Sequence, residues 1–113
     1  MELVKTKLDG VYIVEPKVYG DNRGWFMETY SEKAFKDAGI DVTFVQDNHS
    51  YSAQKGVLRG LHFQLNPMSQ AKLLRVLRGT LLDVVVDIRK GSPTYGQWIS
   101  VELSADNKKE IFM

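Results

Sequence analysis

The chain contains no cysteine, which excludes disulfide frameworks, thiolate metal sites and cysteine nucleophiles. Histidine occurs only at His49 and His62. The two stand apart, without the closely spaced pair a histidine-based metal centre needs, so no metal is expected. There is no G-x-G-x-x-G fingerprint and no P-loop, so no dinucleotide cofactor is expected either. Excess charge of one sign is also missing. Lys and Arg total 15, Asp and Glu 14, for a net charge of +1, and nothing suggests a nucleic-acid partner. A few well-placed cations can still hold a small phosphate ligand, because that depends on local geometry. The longest apolar stretch, Leu81 to Ile88, is broken by Asp83 and Asp87 and is too short to span a bilayer. The opening MELVKTKLDGVYIVEPK has no apolar signal-peptide core, so a soluble cytoplasmic protein is expected.

What is present is an ordinary globular composition. Of 113 residues, 43% are hydrophobic and 26% charged, as expected for one domain over residues 1–113. A chain of this size buries about 60–70% of its surface, leaving room for a partner subunit to contribute to stability. No internal repeat or low-complexity segment is visible.

Short strands dominate the pattern. Val11 to Val18, VYIVEPKV, reads as a strand with an edge or bend at Pro16. Tyr19 to Gly24 is turn chemistry, and Trp25 to Tyr30 is a second strand. Ser31 reads as the N-cap of the one expected helix, SEKAFKDAG, with Gly39 as its stop. The segments VTFVQDN, VLRGLHFQL, AKLLRVLRG, TLLDVVVDIRK and QWISVELS then read as strands of a sandwich or barrel. Arg78-Gly79-Thr80 reads as a tight hairpin between two of them, and Gly91 to Gly96 as a further turn. The tail SADNKKEIFM stops where another strand is starting, so the chain is expected to be cut.

Several side chains could carry chemistry. His62 lies within VLRGLHFQL. An imidazole titrates near about 6.5 and can remove a proton at neutral pH, but a histidine on a strand is also readable as a hydrogen-bonded core residue. Strict alternation sets Arg59 and His62 on opposite faces unless Gly60 makes a bulge, and Arg59 alone reads equally as a surface cation. Lys72 is either a snorkelling strand-end lysine or a fixed cation able to hold an enolate oxygen. Asp83 and Asp87 alternate against Leu82, Val84, Val86 and Ile88. This suits a solvated carboxylate face, with orientation of a histidine by Asp83 as the functional alternative. Gln46, Asp47 and Asn48 offer a group of hydrogen-bonding side chains, or an Asx-type turn.

Taken in order, the blocks EPKVYGDNRGWFMETYSEKAF, FVQDNHSYSAQKGVLRGLHFQ, AKLLRVLRGTLLDVVVDIRKGSPTYGQW and LSADNKK closely resemble the dTDP-4-dehydrorhamnose 3,5-epimerase family, from about Val11 to Phe112. The resemblance implies an all-β, cupin-type jelly roll (a double-stranded β-helix), no cofactor, and a homodimer that exchanges N-terminal strands. It implies a dTDP-4-keto-6-deoxy sugar as substrate. His62 matches the family's base, Lys72 the lysine near the keto oxygen, and Arg59 a pocket arginine. Arg23 and Glu28 match nucleotide contacts that serve the partner's pocket. Gln46, Asp47 and Asn48 match the QDN substrate segment, Phe26 packs near the ligand, and Asp83 supports the site from behind.

The family pattern continues past Met113 with a proline-glycine turn, a second histidine, a tyrosine proton donor and an aspartate that pairs with the base. None of the five tyrosines here matches that donor, so the 113 residues alone are expected to lack full epimerase activity. The alternatives are a related single-carbon epimerase or ketoisomerase, and a non-catalytic form that binds nucleotide sugar or only dimerises.

Overall fold

A computed structural model describes every residue from Met1 to Met113. Its first strands, β1 (Glu2–Lys5) and β2 (Tyr12–Glu15), form an antiparallel pair with Leu3 opposite Val14. The chain bends at Pro16, which has no N–H to give a ladder. It resumes as β3 (Val18–Asp21), paired only with β4 (Gly24–Met27). β4 ends at Met27, short of the strand end expected at Tyr30.

The helix α1 (Glu32–Asp37) begins where its cap chemistry is written. Ser31 is extended and its Oγ accepts from Ala34 N–H at 3.2 Å, satisfying one of the free donors of the first turn. Gly39, at φ +101°, turns the chain so that Ile40 N–H reaches Phe35 O at 2.8 Å. The helix then buries Phe35.

The remaining strands are β5 (Leu73–Arg75), β6 (Thr80–Val86), β7 (Trp98–Ser104) and β8 (Glu110–Phe112). One four-stranded sheet has the order β1-β2-β8-β5, and β6 and β7 form a separate hairpin. Alternation of side chains gives the sheet two apolar faces. On one, Ile111, Ile13 and Leu74 meet Val101 and Leu103 of β7. On the other, Val14 and Phe112 pack against Phe35 and Ile40. Phe35, Val14, Leu103 and Ile111 are at most 1% exposed, and full burial of such a side chain stabilises by about 1.5–3 kcal/mol.

Three sequence expectations are corrected. VTFVQDN and VLRGLHFQL are not strands: no helix or strand lies between α1 and β5. Within residues 41–71 the one backbone–backbone hydrogen bond runs from Met68 N–H to Leu65 O. A strand needs a hydrogen-bonded neighbour, and no strand of the chain forms a ladder with this segment. Second, Arg78-Gly79-Thr80 does not close a hairpin. β5 pairs with β8 and β6 with β7, so the turn carries the chain from one layer to the next. Third, Asp83 and Asp87 are not on a solvated face. Asp83 is half-buried and opposite the core residue Val101, whereas Leu82 is 63% exposed.

Asp87 is buried for a different reason. Its Oδ2 accepts from the Ser92 and Thr94 hydroxyls, each at 2.6 Å, and from Arg89 Nη2 at 3.0 Å. Its Oδ1 accepts from Arg89 N–H and Nε at 3.0 Å. The Arg89 guanidinium first, then the Ser92 and Thr94 hydroxyls, hold its carboxyl well below the usual carboxylate range. This cluster shapes the loop between β6 and β7.

Candidate active site

The residues singled out above fall into three groups. Arg23, Phe26 and Glu28 belong to the β3–β4 hairpin and its exit. Asp21 Oδ1 accepts from Arg23 N–H at 2.9 Å, an Asx turn that fixes the loop. The Arg23 guanidinium folds back onto the same carboxylate, Nη2 to Oδ2 at 2.7 Å, with its side chain 87% exposed. The hydrogen bonds from Arg23 lower the Asp21 carboxyl and raise the guanidinium. Phe26 stands directly opposite Tyr19 and is 70% exposed. This gives the hairpin an open aromatic pair beside an exposed cation. Glu28 is exposed just beyond β4.

The second group lies in the strand-free segment. Gln46 Nε2 donates to Asn48 Oδ1 at 3.5 Å, and Gln46, Asp47 and Asn48 are all exposed. Arg59 reaches back to the turn before it, donating to Ser52 Oγ at 3.3 Å and to Tyr51 O at 3.5 Å. Gly60 adopts φ +100°, and a Cβ built there would lie 3.0 Å from His62 Nδ1. Any side chain at position 60 would both strain the backbone and press on the imidazole. The glycine breaks the alternation that would otherwise set Arg59 and His62 on opposite faces. His62 is exposed and is not sealed in the core.

The third group is at the margin of the four-stranded sheet. Lys72 exchanges two backbone hydrogen bonds with Met113, at 2.8 and 2.9 Å, extending the β5–β8 ladder by one pair. Its side chain is exposed. Burial raises the Asp83 carboxyl, and a hydrogen bond from the Val84 N–H, followed by the Lys72 charge, offsets part of that rise. The fold thus brings Lys72 and Asp83 within electrostatic reach. Asp83 Oδ2 is buried without a hydrogen-bond partner.

Sequence reasoning missed Asp21, Tyr51 and Ser52, the groups that hold the two arginines. The D-x-R spacing of Asp21 and Arg23 was the available signal for the first. The partners of Arg59 lie seven and eight residues away and leave no such trace. No group of three or more His, Asp or Glu side chains is placed to hold a metal ion, and no helix is long and apolar enough to cross a membrane.

Comparison with known proteins places these residues in a family context. A family model described as dTDP-4-dehydrorhamnose 3,5-epimerase matches residues 5–113. The chain is 55% identical to the Shigella flexneri protein of that name, covering 100% of this chain and 62% of the relative. It is 56% identical to the Methanothermobacter thermautotrophicus protein, covering 97% and 58%. Among solved structures, the Bacillus anthracis epimerase with TDP and PPi bound superposes with a TM-score of 0.95 at 46% identity, covering 99% of this chain and 64% of that one. The Legionella pneumophila epimerase in complex with dTDP-4-keto-L-rhamnose gives a TM-score of 0.90 at 49% identity, covering 99% and 59%. The chain therefore spans less than two thirds of the length of these relatives. Its strand-rich architecture with one short helix is part of their cupin-type jelly roll.

Proposed function

The chain belongs to the dTDP-4-dehydrorhamnose 3,5-epimerase family, and from that premise we propose that the protein epimerises C3 and C5 of a dTDP-4-dehydro-6-deoxy sugar without a cofactor. The observation that carries this reading is the match over residues 5–113, which takes in every candidate residue from Arg23 to Asp83.

The chemistry follows from the ketone. Its carbonyl acidifies the protons on the two neighbouring carbons, so a neutral imidazole suffices as base. His62 removes the proton at C5, and separately at C3, and the electron pair moves onto the carbonyl oxygen as an enolate. The Lys72 ammonium stabilises that oxygen electrostatically. Protonation of the carbon from the opposite ring face inverts it. Arg59 and Arg23 hold the diphosphate through charge-assisted hydrogen bonds, and Phe26 packs against the nucleotide. Gln46, Asp47 and Asn48 hydrogen-bond the substrate.

The proposed assembly is a homodimer in which the β3–β4 hairpin delivers Arg23 and Glu28 to the partner's pocket. The hairpin pairs with no other strand of its own chain, and Tyr19, Trp25 and Phe26 are 57%, 57% and 70% exposed. An isolated two-stranded ribbon with open aromatics is suited to covering by a neighbour.

The experiment is incubation with the keto sugar in deuterium oxide, with NMR detection at C3 and C5. Deuterium should enter both carbons with wild type and neither with His62→Asn. Unchanged exchange in His62→Asn would remove the histidine from the mechanism. Thermal stabilisation by dTDP with no exchange at all would identify a non-catalytic nucleotide-sugar binder.

A further inference from the structure

Lys108 is the one non-glycine residue with positive φ, at 56°. This left-handed conformation is uncommon for lysine and is held only where the surroundings enforce it. The enforcement is visible. Asn107 Oδ1 accepts from Ser104 N–H at 3.1 Å and from Lys109 N–H at 3.0 Å. Asn107 Nδ2 donates to Glu102 O at 2.9 Å, and Asn107 N–H donates to Ser104 Oγ at 2.9 Å. Lys108 N–H donates to Ser104 O at 3.1 Å. The turn between β7 and β8 is thus cross-linked on both sides of Lys108, and Lys109 ties it to Glu15 of β2 at 3.9 Å.

The strained turn presents the Lys108 ammonium to the β3–β4 hairpin. Its Nζ lies 4.8 Å from the centroid of the Trp25 ring and donates to Asp106 O at 3.2 Å. Trp25 is opposite Gly20 in the hairpin register, so its ring meets no cross-strand side chain and turns to the lysine. Between hairpin and turn lies an open cleft of about 500 Å³, with Pro16, Val18, Trp25 and Lys108 among its walls. The hairpin shares no ladder with the four-stranded sheet, so side-chain contacts of this kind help to set its angle.

We propose that Lys108 is a positioning residue: by its cation–π contact with Trp25 it docks the β3–β4 hairpin on the rigid β7–β8 turn and so aims Arg23, Phe26 and Glu28 at the nucleotide. This rests on the nucleotide-sugar reading above for its ligand, but the docking stands on contacts remote from His62 and Lys72.

The test compares wild type with Lys108→Asn and Lys108→Arg by amide hydrogen exchange and dTDP calorimetry. Asparagine accepts the left-handed conformation, so the first substitution removes the cation without adding strain. Exchange across residues 18–27 is expected to quicken about two- to five-fold in Lys108→Asn, the range for an exposed cation–π contact. The dTDP dissociation constant should rise by a similar factor. Arginine keeps a cation and should restore both, while the four-stranded sheet is unchanged throughout. Equal exchange across residues 18–27 in all three proteins would overturn the docking. Faster exchange with unaltered dTDP affinity would overturn the positioning role. A wild type that does not bind dTDP would defeat the nucleotide-sugar reading and the aiming of Arg23 with it, and the exchange result would still decide the docking.

Discussion

Glu110 stands directly opposite Arg75 across the β5–β8 ladder, and neither oxygen of its fully buried carboxyl group has a hydrogen-bond partner. On the same face its other neighbour is Val14 of β2. Burial disfavours the charged form and pushes the Glu110 carboxyl up to about 7, with the Arg75 charge working against that rise. A carboxyl whose pKa is higher in the native state favours folding while it is protonated. Its contribution is complete below the unfolded value near 4.5 and is lost progressively as pH rises through about 7. The shift corresponds to about 3 kcal/mol. Urea midpoints should therefore fall between pH 5 and about pH 8, and Glu110→Gln should flatten that slope. An identical slope in the glutamine variant would show that another group is responsible.

Phe35 is the one buried side chain of α1, 1% exposed. Its ring meets Tyr30 edge-on at 5.0 Å. Truncation to alanine removes the contact that seats the helix on Val14 and Phe112, and should cost about 3–5 kcal/mol. Denaturant titration followed by far-UV circular dichroism measures this. A loss below about 1 kcal/mol would mean that the helix contributes little to holding this face of the sheet.

The Arg23–Asp21 pair predicts a gain of affinity by mutation. A phosphate that takes up the Nε and Nη2 edge of the guanidinium must displace a carboxylate that already binds it through these two nitrogens. Asp21→Asn keeps an oxygen for the Arg23 N–H, and with it the turn, but removes the competing charge. Binding of dTDP should tighten by on the order of a few-fold, with the thermal midpoint unchanged, whereas Arg23→Ala should weaken binding. Weaker binding in Asp21→Asn would mean that the carboxylate orients Arg23 for its ligand.

Local chemistry was legible in the sequence, and pairing was not. Ser31 and Gly39 announced both ends of α1 because a cap bonds to atoms three or four residues away. The alternation of β6 and β7 was equally plain, but it could not say which face is inner. Only the register against Val101 turns Asp83 toward the core. Residues 42–48 and 57–65 have the composition of strands, and alternation reports a face without supplying a neighbour. Arg59, His62 and Gln46 could therefore be named by family likeness while their setting stayed hidden. Asp87 looked like an outward strand residue because the hydroxyls that bury it, Ser92 and Thr94, lie across a loop whose path no local rule gives.

The place of β8 has a consequence for biosynthesis. It is three residues long, sits between β2 and β5, and joins Val14 to Glu110 and Leu74 to Ile111. During translation β1, β2 and β5 all leave the ribosome before the strand that joins them. The nascent chain can form its local hairpins and helix early, but this sheet must wait for residues 110–112. Until then the apolar faces of β2 and β5 are uncovered, so this interval is when a chaperone has most to shield.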